Sequence, residues 1–99
     1  MRHYDVVVSD EALKDVDQVC EYICNELYAP MTAAAYYDGL IKSMRSLRVS
    51  ARSHSVEPRL SVVYGKPIRR INYKNFAILY FIDCDEAVIH RVIPQSLIL

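Results

Sequence analysis

The stretch Ile68-Arg69-Arg70-Ile71-Asn72-Tyr73-Lys74-Asn75-Phe76-Ala77-Ile78-Leu79-Tyr80-Phe81-Ile82-Asp83-Cys84-Asp85-Glu86-Ala87-Val88-Ile89-His90-Arg91-Val92-Ile93 decides the fold. Its β-branched and aromatic residues form three runs, 68–73, 76–82 and 87–93, parted by Lys74-Asn75 and by a turn opening on Cys84-Asp85. Such runs with tight polar turns read as a three-stranded antiparallel meander. Pairing Tyr73 with Phe76 sets Ile71 against Ile78 and Arg69 against Tyr80. An even-length second turn adds Ala87, Ile89, Arg91 and Ile93 to that face, which is the one expected to meet the core. The opposite face carries Arg70, Asn72, Ala77, Leu79, Phe81, Val88, His90 and Val92. It is too apolar to stand in water, so the chain's own tail or a partner is expected to cover it. A slip of one residue in the second turn exchanges the roles of His90 and Arg91.

Working outward, Tyr4-Asp5-Val6-Val7-Val8 is short and β-branched and reads as a strand. Ser9 suits a helix N-cap, with Asp10 and Glu11 in the first turn where the helix dipole favours anions. Ala12, Leu13, Val16, Val19, Cys20, Ile23 and Leu27 recur at helical spacing, which predicts a helix over residues 10–28. Pro30 opens a second helix with its stripe at Ala33, Ala34, Tyr37, Leu40, Ile41, Met44 and Leu47. The short link Ala29-Pro30 makes the pair an antiparallel hairpin. Gly39 is expected to let the two helices approach closely. Residues 50–66 read as a long loop with room for a short strand at Leu60–Tyr64. The expected architecture is a single α+β domain over residues 1–99, ordered β-α-α-β-β-β, with a helical hairpin on one face of an antiparallel sheet. The place of the first strand in that sheet is left open.

The composition bounds the function. Of 99 residues 53% are apolar and 24% charged, which supports a real core and argues against disorder. Twelve basic residues balance twelve acidic ones, but not locally. Residues 1–40 hold two basic and eight acidic residues, a net of −6, and residues 41–75 nine basic and one acidic, a net of +8. A basic middle can attract an acidic partner even in a neutral chain. No apolar run approaches the roughly 20 residues of a membrane span, and no membrane association is expected. The odd set Cys20, Cys24 and Cys84 reads as reduced thiols in a cytoplasmic protein. Cys20 and Cys24 fit small buried apolar groups. His3 and His54 lack metal-ligand spacing, so no metal and no cofactor is expected.

The order of elements now meets specific residues. Ser9-Asp10-Glu11-Ala12-Leu13-Lys14-Asp15-Val16, then Glu21-Tyr22-Ile23 followed by Pro30 and Ala34, then Ser46-Leu47, resemble the helical hairpin of the RelE/ParE superfamily of bacterial toxins. Gly65 with Arg69-Arg70-Ile71, the run Asn75-Phe76-Ala77-Ile78-Leu79-Tyr80 and the strand Val88-Ile89-His90-Arg91-Val92-Ile93 resemble its sheet. The resemblance covers nearly the whole chain and is closer to ParE than to RelE. It implies the toxin of a type II toxin–antitoxin module, associated with growth arrest and plasmid stabilisation. A free monomer or weak dimer and a hetero-oligomer with a cognate antitoxin follow from it.

Two target classes occur in that superfamily. ParE-like members inhibit DNA gyrase and do no bond chemistry. RelE-like members cut mRNA on the ribosome and would make this chain an endoribonuclease. Metal-free RNA cleavage needs a base, an acid and cations on the scissile phosphate. RelE-like members carry a middle-strand arginine where this chain has Ala77, and they end on basic residues and a tyrosine or histidine. Here the tail is Pro94-Gln95-Ser96-Leu97-Ile98-Leu99. The expected target is therefore gyrase, with a RelE-like nuclease, or a weakened toxin that binds only its antitoxin, as alternatives. The weak catalytic candidates are Arg70 and His90. Arg70, Asn72, His90 and Arg91 are the candidate target-binding residues, with Arg69 and Arg91 also read as core supports. Tyr37, Leu79, Phe81, Val88 and Leu97 are the candidate antitoxin-binding residues. The apolar tail is expected to fold back on the sheet or to extend a partner surface.

Overall fold

A computed structural model describes residues 2–98, so the tail residue Leu99 lies outside the described residues. The elements are β1 (Asp5–Val8), α1 (Asp10–Glu21), a π-helical turn (Tyr22–Glu26), α2 (Pro30–Ser50), a 3-10 turn (Ala51–Ser53), α3 (Pro58–Tyr64), β2 (Arg69–Tyr73), β3 (Phe76–Asp83), β4 (Glu86–Pro94) and a closing 3-10 turn (Gln95–Leu97). The α+β architecture and the meander are as expected. The sheet order is β1-β4-β3-β2. β1 runs parallel to β4, from Asp5 opposite Glu86 to Val8 opposite Ile89, which makes the sheet mixed rather than wholly antiparallel.

Ser9 ends β1 and starts α1 with one side chain. Its Oγ accepts from the Ala12 N–H at 3.1 Å and donates to the His90 carbonyl at 2.9 Å. The cap thus ties the helix start to the sheet. The first helix is shorter than its apolar stripe suggested. Its last turn widens to π, with the Leu27 N–H reaching the Tyr22 carbonyl, and Tyr28 then turns the chain at φ 53°.

The hairpin packs on one face of the sheet. Val16 of α1 and Leu40, Met44 and Leu47 of α2 meet Ile78, Tyr80, Ile89 and Val92, all at most 3% exposed. Each fully buried aliphatic side chain of this set contributes roughly 1.5–3 kcal/mol. The Tyr80 hydroxyl donates to the Ala51 carbonyl at 2.6 Å, and burial pushes its phenol up to about 12. Gly39 serves a different contact from the expected one. A Cβ there would stand 2.0 Å from the Tyr73 hydroxyl oxygen, so it makes room for a sheet side chain and not for α1.

The register differs from expectation inside β4. Tyr80 faces Ile89 and Leu79 faces Arg91, so His90 is an extra residue, a β-bulge. The expected one-residue slip occurs here and not in the turn. Beyond the bulge Val92 joins the hairpin core, while Ile93 joins the other face.

The second correction concerns that other face. Residues 58–64 form a helix, not a strand or loop. Pro58 occupies its first turn, Gly65 closes it at φ 69° in the left-handed region, and Leu60 and Tyr64 lie one turn apart on its inner side. They cover Ile68, Ala77 and Leu79, each 0% exposed, with Ile98 of the tail joining the cluster. The chain therefore buries part of its own reverse face. Leu79, expected to bind antitoxin, has no surface to offer.

Candidate functional site

Two surfaces on this frame remain open, and α3 separates them from a third region that it covers. The first is a corner of the reverse face beyond α3. Phe81 and Val88 lie there half-buried, beside Val7, which is 39% exposed. The bulge turns His90 into this corner. Its ring packs edge-on to Tyr64 at 5.2 Å and to Phe81 at 6.1 Å, and the Lys66 ammonium sits 4.3 Å over the Phe81 ring. Burial, then the positive charge of Lys66, hold the His90 imidazole below its ordinary pKa, so it is neutral at neutral pH.

The structure separates the expected polar cluster. Arg70 lies on β2 and pairs with Glu57 at 2.7 Å, at the entrance of α3. Across the sheet Arg70 faces Leu79, which faces Arg91 beside His90. Arg70 and His90 are therefore two strand spacings apart, roughly 10 Å, with α3 over the strand between them. Asn72 is exposed at the far side of α3. Arg91 is held elsewhere. Its Nε and Nη2 donate to the two oxygens of Asp15 at 2.8 and 3.1 Å, and the Val92 N–H donates to Asp15 Oδ2 at 2.9 Å. This bidentate pair joins α1 to β4 and neutralises the Arg91 charge.

The second surface is a groove of about 470 Å³ between the end of α1 with its π turn and the second half of β4. β1 pairs with β4 only as far as Ile89, so among the described residues the strand edge from Arg91 to Pro94 has no strand neighbour on that side. The Val92 N–H pointing to Asp15 shows that this edge faces the groove. Phe76 and Ile93 line it, and Tyr22, Leu27 and Leu97 stand at its rim, 55–69% exposed. An apolar trough with an open strand edge is the geometry that takes up an extended or helical peptide.

Leu97, an expected antitoxin contact on the tail, borders this groove together with Tyr22, Leu27 and Phe76, which the sequence reading does not single out. The missing signal was Tyr28-Ala29-Pro30. Tyr28 takes the left-handed region just before the helix-opening Pro30, and the π turn that precedes it leaves Tyr22 and Leu27 exposed. Tyr37, 47% exposed, lines a shallow hollow with Cys20 and Cys24 on a different side of the hairpin. The expected antitoxin-binding residues thus lie on three sides of the molecule. No group of three potential metal-binding side chains forms among the described residues. No described helix is long and apolar enough to cross a membrane.

A family model described as "ParE toxin of type II toxin-antitoxin system, parDE" matches residues 6–98. No curated protein matches by sequence. Among solved structures, a chain of the "Chromosomal ParDE TA system from P. aeruginosa" is similar in fold, with a TM-score of 0.76 at 18% identity over 93% of this chain and 96% of that one.

Proposed function

The chain belongs to the ParE toxin family of type II toxin–antitoxin systems, and from that premise we propose that it inhibits DNA gyrase until a cognate antitoxin neutralises it. The observation that carries the choice of target is the separation of Arg70 and His90. RNA cleavage would need a cation and a proton-transfer group on one scissile phosphate. Here Arg70 is neutralised by Glu57, His90 is packed among aromatic rings, and α3 stands between them. Ala77, where RelE-like members carry an arginine, is fully buried under α3.

The toxin acts by occupying a surface of its target and performs no bond chemistry of its own. The corner of Lys66, Phe81, Val88 and His90 is the target-facing surface, because it is the part of the reverse face that α3 leaves open. The groove along β4 receives the antitoxin. A partner strand there would continue the sheet past Ile89, with apolar side chains against Phe76, Ile93 and Leu97. Toxin and antitoxin then form a hetero-oligomer in which the groove is closed.

The test is supercoiling by purified gyrase with and without the protein. Loss of supercoiling with accumulation of cleaved DNA is expected, and Lys66→Glu should abolish it. Unchanged supercoiling at excess protein rejects the target. The uncharged tail favours one second reading, an antitoxin-binding protein without toxicity. Its signature is normal growth on induction with antitoxin binding intact.

A further inference from the structure

We propose that the outer face of α2 carries a docking ridge for the phosphodiester backbone of duplex DNA. Lys42, Arg45 and Arg48 recur every three residues along α2, and Arg52 follows four residues later in the 3-10 turn. All four are exposed. The ion pairs among the described residues are Arg2–Asp85, Arg70–Glu57 and Arg91–Asp15, so none of the four charges is spent on a carboxylate. Ten residues of helix make a ladder of roughly 15 Å, over which one strand of B-DNA presents about four phosphates.

The ridge is held in shape. Tyr4, 3% exposed, accepts a hydrogen bond on its hydroxyl from Arg52 Nε, and its N–H donates to the Arg48 carbonyl at 2.8 Å. Arg69 bonds the carbonyls of Arg52 and His54 from below, fixing the turn that presents Arg52. Arg45 and Arg48 border a shallow pocket over Tyr4 and Val6 in which Asp5 is the one carboxylate.

The class of partner follows from what the ridge lacks. Val49 is the one exposed large apolar side chain between Lys42 and Ser53. Protein partners bury an apolar centre, whereas nucleic-acid interfaces are polar, wet and positively charged. The ridge therefore suits phosphates better than an acidic peptide. It lies away from both the β4 groove and the His90 corner. The choice of DNA over RNA rests on the gyrase reading, since gyrase holds DNA, and binding is measured without gyrase so that the two can fail separately.

The experiment is fluorescence anisotropy of a labelled 20-base-pair duplex of arbitrary sequence, titrated with the full chain at 50 and 200 mM salt. Four phosphate contacts predict an affinity loss on the order of 100-fold between those salts, and Arg45→Gln/Arg48→Gln, with two contacts left, on the order of tenfold. Lys42→Gln/Arg45→Gln, which leaves Arg48 and Arg52 in place beside Tyr4, should behave alike and guards against misfolding of the first variant. Absence of binding at 50 mM salt, or an affinity and salt slope unchanged in both variants, overturns the proposal. Tighter binding to an RNA hairpin of equal length overturns the choice of DNA, and equal binding to poly-glutamate shows a peptide site instead.

Discussion

Asp15 of α1 and Arg91 of β4 are joined by two hydrogen bonds, and the same carboxylate also accepts the Val92 N–H just past the bulge. One side chain thus fixes the helix over the open strand edge and positions the groove floor. Asp15→Ala leaves a guanidinium and a backbone donor without partners in a largely covered site. We expect a loss of about 3 kcal/mol, read from the urea midpoint at constant m. Asp15→Asn should recover part of it.

Gly39→Ala should cost several kcal/mol, because the added methyl would overlap the Tyr73 ring. A double-mutant cycle isolates the cause. Gly39→Ala/Tyr73→Ala should lose clearly less than the sum of the two single variants. Strict additivity would place the strain elsewhere in α2.

The stability should depend on pH through His90. Its folded pKa is lowered by burial first and by Lys66 second. The unfolded chain therefore binds the extra proton more readily. The contribution is whole above the ordinary pKa of about 6.5 and is lost as pH falls from there toward the folded value. Denaturation of wild type and His90→Gln across pH 5–8 should show a difference between them that changes below about pH 6.5 and is constant above it.

Tyr28 holds φ 53° at the tip of the hairpin with its side chain 87% exposed. A left-handed conformation costs a non-glycine residue roughly 1–2 kcal/mol. Tyr28→Gly forfeits little packing but gains entropy in the unfolded chain. A net stabilisation of about 0.5–1 kcal/mol is expected, measured as a rise in Tm.

Most of the frame was legible because its signals are local. The turns at Lys74-Asn75 and Cys84-Asp85, the Ser9 cap and the stripes of the two helices each follow from neighbours in the chain. The parts that were not legible depend on distant residues. α3 reads as loop or short strand because Pro58 and Gly65 punctuate a helix of only seven residues, too short for a stripe to stand out. The His90 bulge is favoured by Ser9, eighty-one positions away, which claims the His90 carbonyl. Without the bulge Arg91 reads as a core-facing strand residue and Asp15 as an ordinary helix acid. The surfaces follow the same pattern: Leu97 stands out as an apolar residue of the tail, while the groove it borders needs the π turn and the place where β1 stops.

The parallel docking of β1 against β4 has a consequence for how the molecule is made. β1 finds its strand partner in residues 86–89, far along the chain. Closing that contact spans nearly the full length of the chain, an expensive loop to shut early. The hairpin of helices can form from contacts near in the chain, whereas the sheet is complete only once β4 has docked, so the trough along β4 is a late product of folding. Anything that recognises the trough must therefore meet the folded molecule and not its separate segments.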